Sequence, residues 1–304
     1  METIHAVTGP NGYTGKYITR RLLAQEVEVI GLTNHPARPS EFGEQVRLYP
    51  FDFDQPERLA EHLRGVDVLY NTYWVRFDHG AATFELAVRN TQTLIRAAEQ
   101  AGVRRIVHVS ITNPALDSPL AYFRGKARLE ADIRAARLSY AILRPTVLFG
   151  LEDILINNIA YLLRKFPLFA IPGDGEYRLQ PVYVDDFAQL ALQSAFAGEN
   201  FTRDAVGPDI FSYNALVDLI AGRVGRRPPI LHLPPPLVLG LGSVLGRFFG
   251  DVLLTREEYL GLSADLLVSD QPPACPTRLD DWLAQHSQSL GAKYASEIAR
   301  HYQP

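Results

Sequence analysis

An open α/β sheet of parallel strands, wound on both faces by helices and followed by a smaller C-terminal lobe, is the fold class that the sequence predicts. Three observations predict it. Strand-length apolar runs alternate with helical stretches from residue 4 to residue 144. Several of these runs, 66–71 and 140–144 among them, are close to continuously apolar, as strands covered on both faces are. The first run also passes directly into glycines spaced three apart, Gly9, Gly12 and Gly15, at the head of a helical pattern.

The first strand is 4–7. Tyr17, Ile18, Leu22 and Leu23 then fall at helical spacing. Glycines between strand and helix permit a tight turn and let backbone N–H groups approach an anion. The new helix adds the positive end of its dipole, so strand, turn and helix form a phosphate cradle. Further strands follow at 28–33 and 47–51. A short helix is expected after Asp54, with Asp54 as its cap and Glu57 reaching back. A strand at 66–71, a long helix over 82–101 ended by Gly102, a strand at 105–111, a helix over 121–136 and a strand at 140–144 complete the alternation. Residues 1–150 are thus read as a nucleotide-binding domain, with 181–207 returning to it; 151–180 and 208–304 form the smaller, substrate-binding lobe.

Beyond Gly150 the pattern loosens. Helices are expected at 154–165, 185–197 and 214–224, a short strand at 181–184, and a helical tail over 278–302. Thr255 and Glu258 make a capping box. Prolines at 228–229 and 234–236 bound an apolar, glycine-rich stretch, 237–254. Arg247 and Asp251 interrupt it, and its uncharged part falls short of the roughly 18 residues a membrane span needs. It reads as a close-packed helix over a pocket, with peripheral membrane contact and an oligomer contact left open.

The chain has 304 residues, a net charge of −4 and ordinary globular composition, with 47% apolar and 21% charged residues. Nothing points to a nucleic-acid partner. A single cysteine, Cys275, makes no internal disulfide and suits a reducing cytoplasm. The first strand starts at residue 3 or 4, so no leader peptide is expected. The histidines show no metal-ligand spacing, and no metal is expected.

A glycine turn in this setting takes the pyrophosphate of a dinucleotide. The end of the second strand sets the preference. An acid there would hold a ribose 2′-hydroxyl and repel a 2′-phosphate. Residues 33–38 contain none, whereas Asn34 can donate and Arg38 can pair with a phosphate, which favours NADP(H) over NAD(H). Tyr122 and Lys126 stand four apart on one helix face after the fifth strand. An ammonium near a phenol favours the phenolate, which can exchange a proton with a substrate hydroxyl or carbonyl. Tyr161 and Lys165 repeat the spacing, but they follow the sixth strand and read as packing residues of the second lobe.

These residues carry a resemblance to the extended and atypical short-chain dehydrogenase/reductase superfamily, over nearly the whole chain. Thr8 to Gly15 resembles its T-G-x-x-G-x-x-G, and Leu143 to Gly150 its L-R-P-x-x-x-x-G. The segment from Val182 to Asp186 is similar to its V-x-V-x-D. Ser110, Tyr122, Lys126 and Glu130 are most similar to the atypical, NmrA-like branch, which includes the NADPH-binding accessory subunit of respiratory complex I. The resemblance implies a Rossmann fold that binds the cofactor through Gly9, Asn11, Gly12, Tyr13, Thr14, Gly15, Asn34, Arg38, Asp52, Phe53, Asn71, Thr72, Tyr73, Lys126, Pro145, Thr146 and Val147. Asn90 matches a helix asparagine of the superfamily.

The implied activity is hydride transfer between the cofactor and a carbonyl or hydroxyl substrate, with Tyr122 and Lys126 catalytic. The superfamily also places a Ser or Thr just after the fifth strand. Ile111 stands there, and a one-residue slip would bring in Ser110 or Thr112. Trp74, His79 and Arg178 are candidate substrate contacts. Few charges lie in 231–254, so an apolar or mixed small-molecule substrate is expected in a cleft beneath that segment. The other implied role is that of a non-catalytic NADP(H)-binding sensor or accessory protein.

Overall fold

The structure, a computed structural model, describes residues 3–301. The elements run β1 (Ile4–Thr8), α1 (Tyr13–Leu23), β2 (Glu28–Thr33), β3 (Val46–Pro50), α2 (Pro56–His62), β4 (Val66–Asn71), α3 (Phe84–Ala101), β5 (Arg105–Val109), α4 (Ala121–Ala135) and β6 (Ser139–Pro145). Next come β7 (Leu148–Phe149), α5 (Leu155–Lys165), β8 (Phe169–Pro172), β9 (Arg178–Leu179), β10 (Val182–Tyr183), α6 (Val184–Ala195) and β11 (Phe201–Ala205). The chain ends in β12 (Phe211–Ser212), α7 (Tyr213–Val224), β13 (Ile230–Leu233), α8 (Pro235–Phe249), α9 (Arg256–Ser263), α10 (Leu279–His286) and α11 (Glu297–His301).

Two compact units emerge. The first comprises Met1–Pro145 and Phe187–Ala205, the second Thr146–Asp186 and Val206–Pro304. The first unit is organised by a seven-stranded sheet in the order β11-β6-β5-β4-β1-β2-β3, with every neighbouring pair parallel. Parallel neighbours need crossover helices, which the alternation of the sequence supplies. Ala6, Leu32, Leu69, Ile106 and Ile142 of the sheet are buried against Leu59, Leu94, Ala98 and Ile133 of the helices. The direction of winding reverses between β1 and β4, and the crevice at their carboxyl ends is where such sheets take ligands.

Local chemistry sets the element ends. Thr83 caps α3 by accepting the Leu86 N–H at 3.1 Å, and Gly102 ends it with φ of +79°. Asp54 does not cap α2. Gln55 holds that position without a side-chain bond, because Asp52 turns the chain at φ +45° and Pro56 starts the helix. The return to the sheet is held by Arg105, which is fully buried. Its guanidinium donates to the carbonyls of Ser194 at 2.8 Å and Glu199 at 2.9 Å, and to the Ser139 hydroxyl.

The second unit packs Phe149, Ile159, Leu163, Leu216, Ile220 and Trp282 into its own core. It begins at Thr146 rather than after Gly150, because β7 pairs with β10 instead of extending the main sheet. The expected tail helix is divided. α10 ends at His286 and α11 starts at Glu297, and between them Gly291 turns at φ +65°, where a Cβ would lie 2.4 Å from the Tyr161 nitrogen. Tyr302, at the end of the expected tail, lies outside the described residues. Tyr161 packs edge-on against Phe249 and Tyr294. Among the described residues, no helix is long and apolar enough to cross a membrane.

Candidate functional site

The glycine turn closes tightly on itself. Gly9 has φ of +61°, its N–H bonds the Leu32 carbonyl at 2.7 Å, and its own carbonyl accepts the Gly12 N–H at 2.8 Å. A Cβ on Gly15 would lie 2.1 Å from the Gly9 oxygen, so α1 rests directly on the turn. Gly12 caps α1 without a side-chain bond, and no acidic residue stands in the first turn. The positive end of the helix is therefore left for an external anion, and the cradle made by Gly9, Gly12, Tyr13, Thr14 and Gly15 fits a pyrophosphate.

The loop after β2 is tied to this turn. Ser40 donates to the Asn11 side chain at 2.6 Å. Glu41 accepts Arg20 through two bonds, at 2.6 and 3.0 Å, with Lys16 at 3.6 Å. Asn34 and Arg38 are exposed on the loop so held. Glu41, the first acid after β2, is matched by two cations of α1.

A buried polar seam marks the ends of β1, β4 and β5. The Thr8 hydroxyl accepts the Thr72 and Tyr73 N–H groups at 2.7 and 3.0 Å. Asn71 accepts the Tyr73 N–H at 3.1 Å and bonds His108 Nδ1 at 3.0 Å. The Asn71 and His108 side chains are fully buried, and burial keeps the His108 pKa well below its usual value, with Lys126 adding to the effect. Asn71 thus faces into the sheet, and its side chain is committed there.

Beside the seam, Phe51 and Phe53 stack at 4.7 Å, with Tyr73 about 5 Å from both rings. Asn90 donates to the Tyr73 hydroxyl at 2.8 Å. The Asp52 carboxylate is held by His62 at 3.1 Å and Arg58 at 3.4 Å.

On α4, Tyr122 and Lys126 meet one aromatic side chain. The Lys126 ammonium lies 4.4 Å from the centre of the Trp74 ring, and the Tyr122 ring meets Trp74 edge-on at 5.6 Å. Phe84 and Phe123 complete the wall around Tyr122, each 5.6 Å away. Only Gly125 lets the indole sit this close, since a Cβ there would lie 2.9 Å from Trp74. The indole N–H is buried with no hydrogen-bond partner.

Lys126 is 2% exposed and donates to the Val109 carbonyl at the end of β5, at 2.8 Å. Burial lowers its pKa from 10.5 to about 7, against the pull of Glu130. The ammonium and the neutral amine are thus both accessible near neutrality.

Ser110 is a correction to the sequence reading. Its hydroxyl does not open onto this wall; it donates to Glu130 at 2.6 Å and is 2% exposed. Glu130 also accepts Arg144 at 2.6 and 2.8 Å and Arg134 at 2.8 Å. Burial would raise the Glu130 carboxyl, but the bonds from Arg144 and Ser110 outweigh it and hold the group below the usual range. Ile111 and Thr112 are buried, and the Thr112 N–H bonds the Pro145 carbonyl at 3.1 Å.

The remaining candidates scatter. His79 is exposed and bridges to Ala82 in a small loop. Arg178 is also exposed and pairs with Asp265 at 2.9 Å in the second unit. Thr146 and Val147 belong to that unit too, where Thr146 bonds the Gln180 carbonyl. Among the described residues no cluster of His, Cys, Asp or Glu could hold a metal. The sequence reading missed Glu41 and the role of Gly31. A Cβ on Gly31 would lie 2.5 Å from Pro10, so this glycine lets the turn settle on β2.

Comparison with known proteins agrees with this geometry. Residues 9–153 match the family model described as NAD(P)H-binding. The chain is 23% identical over 286 residues to the mitochondrial NADH dehydrogenase [ubiquinone] 1 alpha subcomplex subunit 9 of Arabidopsis thaliana, covering 88% of this chain and 71% of that protein. Its fold is similar to the NADP(H) complex of a Citrobacter triphenylmethane reductase, with TM-score 0.75 and 18% identity over 93% of this chain and 99% of the other. It is also similar to the NADPH complex of the Escherichia coli quinone oxidoreductase QOR2, with TM-score 0.74 and 20% identity over 94% and 99%. With the glycine turn and the parallel sheet already in place, the NAD(P)H-binding family model and these relatives support the resemblance to the extended and atypical short-chain dehydrogenase/reductase superfamily, and the solved structures show that the chain has the same fold.

Proposed function

We propose that this protein is an NADP(H)-dependent oxidoreductase acting on a carbonyl or hydroxyl group of an apolar small molecule. The observation that carries the reading is the convergence of Tyr122 and Lys126 on Trp74. The turn from Gly9 to Gly15 would receive the pyrophosphate, with Arg38 and Asn34 toward a 2′-phosphate and Phe53 and Tyr73 toward the adenine. Asp52, Thr72 and the backbone of 145–147 would complete the cofactor contacts. When bound, the nicotinamide supplies or accepts the hydride. Tyr122 would exchange the proton with the substrate oxygen, and protonated Lys126 favours its phenolate. Trp74, Phe84 and Phe123 around that phenol exclude water and favour apolar substrates, in line with the dye and quinone reductases whose fold this chain shares.

A second reading, a non-catalytic NADP(H)-binding accessory protein, is favoured by one observation. Ser110 is committed to Glu130 and Ile111 stands where a hydroxyl is expected, which leaves Thr112 alone. The similarity to complex I subunits is in line with it. The test is NADPH consumption over quinones, aldehydes, ketones and nucleotide sugars, with Tyr122→Phe beside the parent. The oxidoreductase reading expects turnover to fall about 100-fold with cofactor affinity unchanged. Saturable NADPH binding with no turnover on any substrate would favour the accessory protein.

A further inference from the structure

Helix α8 presents an apolar face to solvent. From Pro235 to Gly246 it carries no charge, and in the whole helix only Gly246 is buried. Leu237, Leu241, Val244 and Phe248 are 57, 52, 65 and 84% exposed. At 3.6 residues per turn these four side chains fall within an arc of about 60°. Gly240, Ser243 and Arg247 flank the stripe on one side. The helix is seated in its own unit through Phe249, which stacks on Tyr294 at 4.7 Å and meets Tyr161 at 5.9 Å. The apolar stripe is therefore the outer face of an anchored helix.

We propose that α8 docks this protein on the surface of a lipid bilayer, lying in the plane of the interface with Leu237, Leu241, Val244 and Phe248 inserted. This inference is independent of the catalytic reading above. Two observations select a bilayer over a second copy of the chain. The four side chains of the stripe offer on the order of 500 Å² of apolar surface, short of the ~800 Å² per partner of a standard protein interface. A bilayer sets no such minimum, because an interfacial helix needs only to sink its apolar face ~5–10 Å. The charge pattern suits lipid headgroups. Arg247 is exposed beside the stripe, while Asp251, the first acid after it, is turned inward to accept the Tyr294 hydroxyl at 3.0 Å and the Glu297 and Ile298 N–H groups at 3.0 and 3.1 Å. The helix is also too short to span, so it lies on the membrane and does not cross it.

Co-sedimentation with phosphatidylcholine vesicles, with and without phosphatidylglycerol, tests the proposal. The parent protein should pellet with both, more strongly with the anionic vesicles. Leu241→Ser with Phe248→Ser, both at exposed positions, should weaken partitioning at least ~10-fold and leave NADPH binding and the thermal melt unchanged. Arg247→Gln should lower binding about fivefold on anionic vesicles alone. Phe248→Trp gives a second readout, a blue shift in fluorescence on adding vesicles. No partitioning by the parent protein, equal partitioning by the double variant, or a dimer in sedimentation equilibrium that the same substitutions dissolve would each overturn it.

Discussion

Replacing Lys126 by methionine keeps the length of the side chain and removes its charge from a site that is 2% exposed. In the folded protein this ammonium loses its proton at about pH 7 instead of 10.5. Below pH 7 the folded and unfolded states both carry the charge, and the folded state bears the full cost of burying it, about 5 kcal/mol. Between pH 7 and 10.5 the unfolded chain keeps the proton while the folded chain sheds it. The unfolded state then binds more protons, so stability climbs with pH and the cost disappears. Methionine escapes this cost, and its advantage over lysine should be greatest at pH 6 and fall to less than half by pH 9. The lost bond to the Val109 carbonyl subtracts about 1 kcal/mol at every pH, so the slope carries the information. Urea unfolding followed by circular dichroism at pH 6, 7.5 and 9 reads it. Asp153, raised by burial to about 7, titrates in the same range but is common to both proteins and cancels. A parent-minus-variant difference that stays flat with pH, or a methionine variant weakest at pH 6, would refute the reasoning.

Gly15→Ala sets a Cβ 2.1 Å from the Gly9 oxygen and forces α1 off the turn; NADPH affinity by fluorescence titration should drop at least ~10-fold. Arg38→Ala should weaken NADPH about tenfold and leave NADH unchanged, as loss of a charge-assisted phosphate bond requires. Glu130→Gln leaves Arg144 and Arg134 without their carboxylate and should cost about 3 kcal/mol of stability at pH 7. Because the Glu130 carboxyl is held below its usual range, its contribution is present above that range and is lost as pH falls through the folded value. The deficit of the glutamine variant should therefore narrow in melts taken at acid pH.

The central sheet was legible because its strands announce themselves locally: apolar runs, one glycine turn, and a helix stop at Gly102. Tyr122 and Lys126 were legible as a pair for the same reason, since four residues on a helix fix a shared face. What escaped depends on partners distant in the chain. Ser110 looked available until Glu130, twenty residues on, took its hydroxyl. Trp74 read as a candidate substrate contact, but its contact with Lys126 needs α4 laid beside the loop after β4, with a glycine at 125 to admit the ring. Glu41 lies beyond residues 33–38, where the strand end sets cofactor preference, and only the fold brings it to Lys16 and Arg20. The break between α10 and α11 was hidden in a helical-looking tail, and Gly291 within it rests against the backbone at Tyr161, far away in sequence.

The return of Phe187–Ala205 to the first unit bears on how this protein can be cut. A fragment stopping at Pro145 keeps six strands in order and looks self-sufficient on paper. It would expose the free edge of β6, which β11 otherwise pairs along 141–145, and a bare parallel edge is a template for aggregation. It would also strip Arg105 of the Ser194 and Glu199 carbonyls and strand a charge beside the core. Truncation at the apparent domain boundary should yield inclusion bodies, while a fragment in which residues 187–205 are spliced back through a short linker has the means to stay soluble.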